Sequence, residues 1–186
     1  LIGLLTSVKP FALAQAQGTG ALEADSVSID DASGAIEASG NVELTSGDER
    51  LTTQKLVMDR DQETVTIDSL MTLTQSDGLI LKAESARLST ELDSGTLQGL
   101  NVTVSPQGRM KAARAAHSPD NLTLDDAIFT ACDECADPQD APLWQIQASE
   151  IDYDRVGQNV IYKHPRLEVY GVPVFYLPYM AHAGPE

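Results

Sequence analysis

The chain has 186 residues, of which 12 are Lys or Arg and 28 are Asp or Glu, so its formal net charge is −16. This acidity argues against nucleic acid as a partner, because duplex binding needs a basic surface. Apolar residues make up 42% of the chain, which is enough for a hydrophobic core. The sequence contains no run of 18 apolar residues, which is the pattern that would predict a membrane-spanning helix.

Residues 1–17 are the most apolar stretch before the acidic body of the chain begins. They contain Ala-x-Ala patterns at Ala12–Ala14 and at Ala14–Ala16. Small residues at this spacing are typical of the end of a secretory signal peptide. We therefore expect 1–17 to be the remnant of a signal peptide or a disordered leader. Export would place the two cysteines of the chain in an oxidising compartment.

From Leu22 onward, apolar and polar residues alternate with a period of two, as in Val27 and Ile29. This period is typical of half-buried strands. Turn-forming residues separate the runs, for example at 46–48 and at 93–95. Because no long helical pattern interrupts the runs, the sequence predicts an all-β fold of antiparallel strands.

An eight-residue pattern also recurs along the chain, with its second position at residues 24, 53, 83, 112 and 148. The steps are 29, 30, 29 and 36 residues, and the last one contains an insertion at 132–143. Units this small bury an apolar face only by stacking on one another, so the sequence predicts stacked strand repeats. The open ends of such a stack would invite a partner strand. An ordinary closed β-sandwich is the alternative interpretation.

The repeats place an apolar column on one face of the predicted strands. Ala115 and His117 stand where other units have larger apolar side chains, so the column predicts a groove rather than a filled interior. Acyl chains suit such a groove because their burial makes no directional demands. A plain hydrophobic core is the competing interpretation. The candidate lipid-contact residues are Val27, Ile29, Leu56, Met58, Leu88, Val102, Leu124, Ile146 and Ile151.

Cys132 and Cys135 form a C-x-x-C motif with two acidic residues between them. Those carboxylates would raise the thiol pKa, which disfavours redox catalysis, and no second ligand pair supports a zinc site. We therefore expect structural disulfide bonds, either between the two cysteines or with cysteines outside this sequence. No catalytic constellation, metal site or cofactor site is predicted, although a carbohydrate-active β-solenoid enzyme is a third candidate.

The last third of the chain contains its most distinctive segments, the Trp144–Ala148 strand and the block PRLEVYGVPVFYLPY at 165–179. These segments resemble the OstA-like N-terminal periplasmic region of the outer-membrane lipopolysaccharide-assembly family, LptD. The resemblance implies a V-shaped β-jelly roll over 22–170, with an apolar interior that receives the acyl chains of lipid A. It also implies that 171–186 is a linker leading to a C-terminal β-barrel that this sequence lacks.

By the same resemblance, the chain would receive lipopolysaccharide at the periplasmic face of the outer membrane and pass it to that barrel. The implied protein partners are a periplasmic bridge protein, docked edge to edge, and a plug lipoprotein inside the barrel. The resemblance favours disulfide bonds from Cys132 and Cys135 to the barrel. A soluble lipopolysaccharide bridge protein and a β-sandwich docking module without a ligand are the alternative functions.

Overall fold

The computed structural model describes residues 20–30, 33–76, 78–104, 108–130 and 142–183. The expected leader at 1–17 and both cysteines lie outside these ranges. Within them the chain forms sixteen strands, all of whose pairings are antiparallel, and no helix. The strands are β1 (Gly20–Glu23), β2 (Ser26–Ile29), β3 (Ile36–Ser46), β4 (Glu49–Asp59), β5 (Thr64–Ile67), β6 (Met71–Thr74), β7 (Ile80–Ala83), β8 (Ser85–Ser89), β9 (Gly95–Val104), β10 (Gly108–His117), β11 (Asn121–Thr130), β12 (Trp144–Asp154), β13 (Asn159–Lys163), β14 (Arg166–Val169), β15 (Val172–Tyr176) and β16 (Tyr179–Ala183).

The long strands each belong to two layers, because their halves pair with different neighbours. In β3, for example, residues 36–39 pair with β2, whereas residues 43–46 lie between β1 and β4. Following the pairings gives layer A in the order β1-β3-β4-β6-β7-β9-β10-β11-β12-β14-β15. Layer B has the order β2-β3-β4-β5-β8-β9-β10-β11-β12-β13-β16. The predicted V-shaped jelly roll of stacked strand repeats is therefore confirmed.

The sequence repeat marks the line along which the layers meet, which we call the corner. After the second position of each repeat, the strand pairing changes from layer A to layer B. Each octet then contributes one strand to layer B, and these strands alternate with strands from the segments between the octets. In one period of about 30 residues, the chain thus runs from layer A into layer B and then returns to layer A. The recurring residue is small, which lets the backbone bend without leaving a large side chain at the corner. It is Ala24, Thr53, Ala83, Ala112 or Ala148.

The intervening strands bend at residues with left-handed backbone. The φ angle is 46° at Asn41, 60° at Gly99, 49° at Asp126 and 52° at His164. Asn, Asp and Gly tolerate this conformation best, and His is also enriched in it. Side chains also join neighbouring bends, since Asn41 Nδ2 donates to Asp25 Oδ2 at 2.8 Å. Both sets of bends hold the layers at a fixed corner, so the ends of the strands far from it form the mouth of the V.

The C-terminal segment differs from the expected linker. Residues 172–176 and 179–183 form β15 and β16, which pair with β14 and β13, so strand pairing continues to Ala183. β15 and β16 lie within the expected linker at 171–186, and the expected end of the domain at residue 170 stays a prediction. Pro173 lies in an edge strand, where a missing N–H donor is tolerated. The Val and aromatic residues around it favour extended backbone.

Candidate functional site: an apolar interior between two layers

Buried apolar side chains from both layers form a single cluster along the inside of the V. Five of the nine predicted lipid-contact residues belong to this cluster, and each is at most 2% exposed. Val27, Met58 and Ile146 are half-buried and pack against the cluster. Ile29 is 59% exposed. The five buried members are Leu56, Leu88, Val102, Leu124 and Ile151.

The interior is closed in its middle and more open towards both ends of the stack. In the middle, Leu51, Leu73 and Leu81 have no solvent exposure. Towards the N-terminal end, Leu22 and Val27 are only half-buried. Towards the C-terminal end, half-buried apolar residues line layer A and the adjoining part of layer B. They are Met110, Phe129, Ile146, Tyr153 and Met180.

Trp144 lies on the same face of β12 as Ile146 and Ala148, because alternate residues of a strand share a face. Its ring meets that of Phe129 edge to face, with ring centroids 6.1 Å apart. The side chain is half-buried. An aromatic pair of this geometry gives the partly open end of layer A a rigid apolar wall.

Polar residues bridge the mouth of the V in its central part. Gln75 directly follows β6 in layer A, whereas His117 ends β10 and Arg155 follows β12 in layer B. Gln75 Nε2 lies 3.0 Å from His117 Nε2, and Arg155 Nη2 donates to Gln75 Oε1 at 2.6 Å. Gln75 and His117 are each 4% exposed. His117 therefore does not leave the gap that the sequence predicts at this position, because a hydrogen-bonded group from the opposite layer packs against it.

A buried leucine from a loop of layer B lies at the same mouth. Leu92, between β8 and β9, has no solvent exposure although its φ angle is +63°. Its loop is held by Asp93, whose Oδ1 accepts hydrogen bonds from Ser89 Oγ at 2.7 Å and Ser94 Oγ at 2.9 Å. These two bonds, with a smaller contribution from the charge of His117, hold the pKa of Asp93 below its usual value. The sequence showed only a turn here, since nothing local distinguishes a buried loop leucine from an exposed one.

The outer faces of the layers are polar. Lys55 Nζ lies 2.6 Å from Glu37 Oε1, and Arg50 Nη1 lies 3.0 Å from Glu43 Oε1, on exposed side chains. Exposed pairs of this kind contribute little to stability. A shallow depression of about 570 Å³ lies near the corner, lined mainly by polar residues such as Thr52 and Lys82. None of the nine predicted lipid-contact residues lines this depression.

The C-terminal end of the stack combines a buried hydroxyl with exposed apolar strands. Tyr162 is 1% exposed, its Oη lies 3.1 Å from His182 Nε2, and burial raises its pKa to about 12. Beside it, β15 and β16 each pair on one side only. Exposed apolar patches at unpaired strands are typical of interaction surfaces. The exposed side chains here are Val172, Val174, Phe175, Tyr176 and Tyr179.

Two other kinds of site were sought in the part of the chain that the structure describes. No group of three or more His, Cys, Asp or Glu side chains there could hold a metal ion. Nor does any helix of the described residues have the length and apolar character needed to cross a membrane. Cys132 and Cys135 are outside the described ranges, so their expected disulfide bonds stay a prediction.

The comparisons with known proteins agree on one family. LPS-assembly protein LptD of Vibrio vulnificus (strain YJ016) is 30% identical over 146 residues, covering 76% of this chain and 18% of the relative. LptD of Aliivibrio fischeri is 29% identical over 167 residues, covering 86% of this chain and 20% of the relative. The chain thus spans about a fifth of the length of these relatives.

A solved structure with some likeness is LptH of Pseudomonas aeruginosa, described as the LptA homologous periplasmic component of the lipopolysaccharide transport device. It is 14% identical, with a TM-score of 0.27, over 74% of this chain and 77% of LptH. The family model "LptA/(LptD N-terminal domain) LPS transport protein" matches residues 21–159. The chain therefore belongs to the LptA/LptD N-terminal domain family of LPS transport proteins, as its resemblance to the N-terminal region of LptD indicated.

Proposed function

We propose that this chain is a periplasmic lipopolysaccharide-transport domain that receives lipid A acyl chains between its two layers. The observation that carries the proposal is the continuous apolar interior, half-open at both ends of the stack and enclosed by polar outer faces. Family membership supports the same substrate class. In this proposal, the nine predicted contact residues line the path, and the sugar headgroup remains in water.

The chemistry of an apolar path suits transport better than tight binding. Each buried CH₂ group contributes about 0.8 kcal/mol without a fixed direction, so an acyl chain can slide between equivalent positions. Transport along such a path needs no bond-making step, and we propose that the chain is not an enzyme. The direction of movement would then come from other members of the transport pathway.

The two ends of the stack would face different partners. We assign the N-terminal edge strands β1 and β2 to a periplasmic bridge protein, which would add a strand to one of these open edges. The C-terminal strands β15 and β16, with their exposed apolar side chains, would face an outer-membrane barrel that holds a plug lipoprotein. This arrangement places the chain at the periplasmic face of the outer membrane, with Cys132 and Cys135 available for disulfide bonds to the barrel.

One observation favours a different function, that of a docking module without a ligand. The middle of the interior is filled by side chains with no exposure, as expected of an ordinary core. The two functions differ in whether an acyl chain enters between the layers, and this can be measured directly.

The test uses the one tryptophan of the chain, Trp144. Lipid A with a nitroxide on an acyl chain should quench Trp144 fluorescence, because the side chain lies on the inward face. The matched control carries Trp144→Phe and Gln145→Trp, which moves the indole by one residue to the opposite face. We expect strong quenching at position 144 and weak quenching at 145. Equal quenching at both positions, or none at 144, would show that acyl chains do not enter this part of the interior.

A further inference from the structure

The mouth of the V is sealed in its central part by groups that come from both layers. Gln75 belongs to layer A, whereas His117 and Arg155 belong to layer B, and hydrogen bonds of 3.0 and 2.6 Å join them. These residues are 42 and 80 positions apart in sequence, so the bonds depend on the closed position of the two layers. We call this three-residue group the latch.

The contacts behind the latch explain why it matters for access. His117 shares the inward face of β10 with Ala115, and both lie in register with Gly95 and Leu97 of β9. Ala115 and Leu97 belong to the buried cluster. A ligand that approached the middle of the interior from the side would therefore have to pass the latch. By contrast, the apolar residues at the two ends of the stack are only half-buried.

Leu92 adds an apolar seal beside the latch. Its complete burial favours the closed loop, whereas its left-handed backbone opposes it, because a non-glycine residue is strained there. These two contributions are of similar size, and the hydrogen bonds of Asp93 with Ser89 and Ser94 hold the loop closed. A leucine side chain is also saturated hydrocarbon, as the tails of the acyl chains are. Leu92 can thus occupy the space that a chain end would take after entry.

We propose that the latch and Leu92 form a side gate, and that acyl chains enter the middle of the interior through it when Gln75 separates from His117 and Arg155. This inference rests on the proposed function and extends it by naming the route of entry. It gives the buried residues Leu56, Leu88 and Leu124 access to the ligand without passage along the whole stack from one end.

The gate predicts that a reversible crosslink across the mouth slows lipid entry. Gln75→Cys and Arg155→Cys would be joined by a short bis-methanethiosulfonate reagent. The native hydrogen bond spans two long side chains, so the two backbone positions are too far apart for a direct disulfide bond. Cys132→Ser and Cys135→Ser prevent side reactions in every variant. The matched control joins Asp25→Cys to Asn41→Cys, a hydrogen-bonded pair at the corner. Entry into the middle is followed as quenching by nitroxide-labelled lipid A, in the 186-residue chain with Trp144→Phe and Leu88→Trp, since Leu88 lies in register with Gly95 and His117 behind the latch.

The mouth crosslink should slow quenching by about tenfold or more, because the entry-competent population falls, and reduction should restore the rate. The corner crosslink should leave the rate unchanged. Gln75→Ala, which removes both latch bonds, should speed quenching several-fold, whereas Gln98→Ala on the exposed outer face should not. If the mouth crosslink leaves the rate unchanged, entry occurs at the ends and the gate is refuted, while the proposed function stands. If no variant is quenched, including the uncrosslinked parent, both proposals fail together.

Discussion

Gly95 provides a quantitative test of how closely the strands of layer B approach one another. Its φ angle is +146°, and a Cβ at this position would lie 2.2 Å from Arg87 O and 2.7 Å from Leu88 Cα. Those atoms belong to the backbone of β8, so no side-chain rotation relieves the clash. The backbone conformation costs a non-glycine residue about 1–3 kcal/mol, and forced overpacking adds about 1–3 kcal/mol. We therefore expect Gly95→Ala to lower the free energy of unfolding by about 4 kcal/mol.

Gly47, in the turn between β3 and β4, is the matched control. Its φ angle is +58°, but a Cβ there would have no atom within 4 Å, so only the backbone strain applies. Gly47→Ala should cost about 1–2 kcal/mol. Both variants would be unfolded in urea and followed by Trp144 fluorescence. The dependence of the unfolding free energy on urea concentration would be compared, to check that unfolding exposes the same amount of surface in each variant. A difference below about 1 kcal/mol between the variants would refute the close approach of β8 and β9.

Two further predictions concern the ends of the stack. Because the pKa of Tyr162 is raised from 10.0 to about 12, the folded chain keeps the hydroxyl proton up to a higher pH than the unfolded chain does. Stability should be full below pH 10 and fall by roughly 3 kcal/mol as the pH rises to 12 and beyond, and Tyr162→Phe should lack this part of the loss in urea unfolding across that range. Ile29→Lys, at a side chain 59% exposed, should change stability by less than about 0.5 kcal/mol but weaken binding of the bridge protein in calorimetry. Val174→Lys, 57% exposed at the other end, is its control, and weaker binding for Val174→Lys alone would reverse the assignment of the two ends.

The repeat was the feature of the fold most accessible from sequence. Its recurring small residues at 24, 53, 83, 112 and 148 mark the corner, because a bend between two packed layers has little room for a side chain. The alternation of Val, Leu and Thr likewise predicted which faces are buried, since side chains of a strand point alternately inward and outward. These are local patterns, and each is visible within one repeat.

Contacts between distant residues could not be predicted in the same way. Gln75, His117 and Arg155 come from different repeats and carry no shared local signal, so their meeting at the mouth depends on how the layers close. The burial of Leu92 could not be predicted for a related reason, because the turn residues around it indicate a loop but not whether the loop folds inward. In the C-terminal segment, the family resemblance implied a linker, whereas the chain there pairs with β13 and β14 as two edge strands.

Photo-crosslinking from paired positions tests the central claim, that acyl chains lie on the inward face, most directly. Met58 and Leu88 pack inside the V, whereas Lys55 and Arg87 are exposed on the outer face. A photoreactive amino acid at each position, one at a time, would be activated in cells that transport lipopolysaccharide. We predict lipopolysaccharide adducts at 58 and 88 and none at 55 and 87. Adducts at 55 and 87 without any at 58 and 88 would contradict the account.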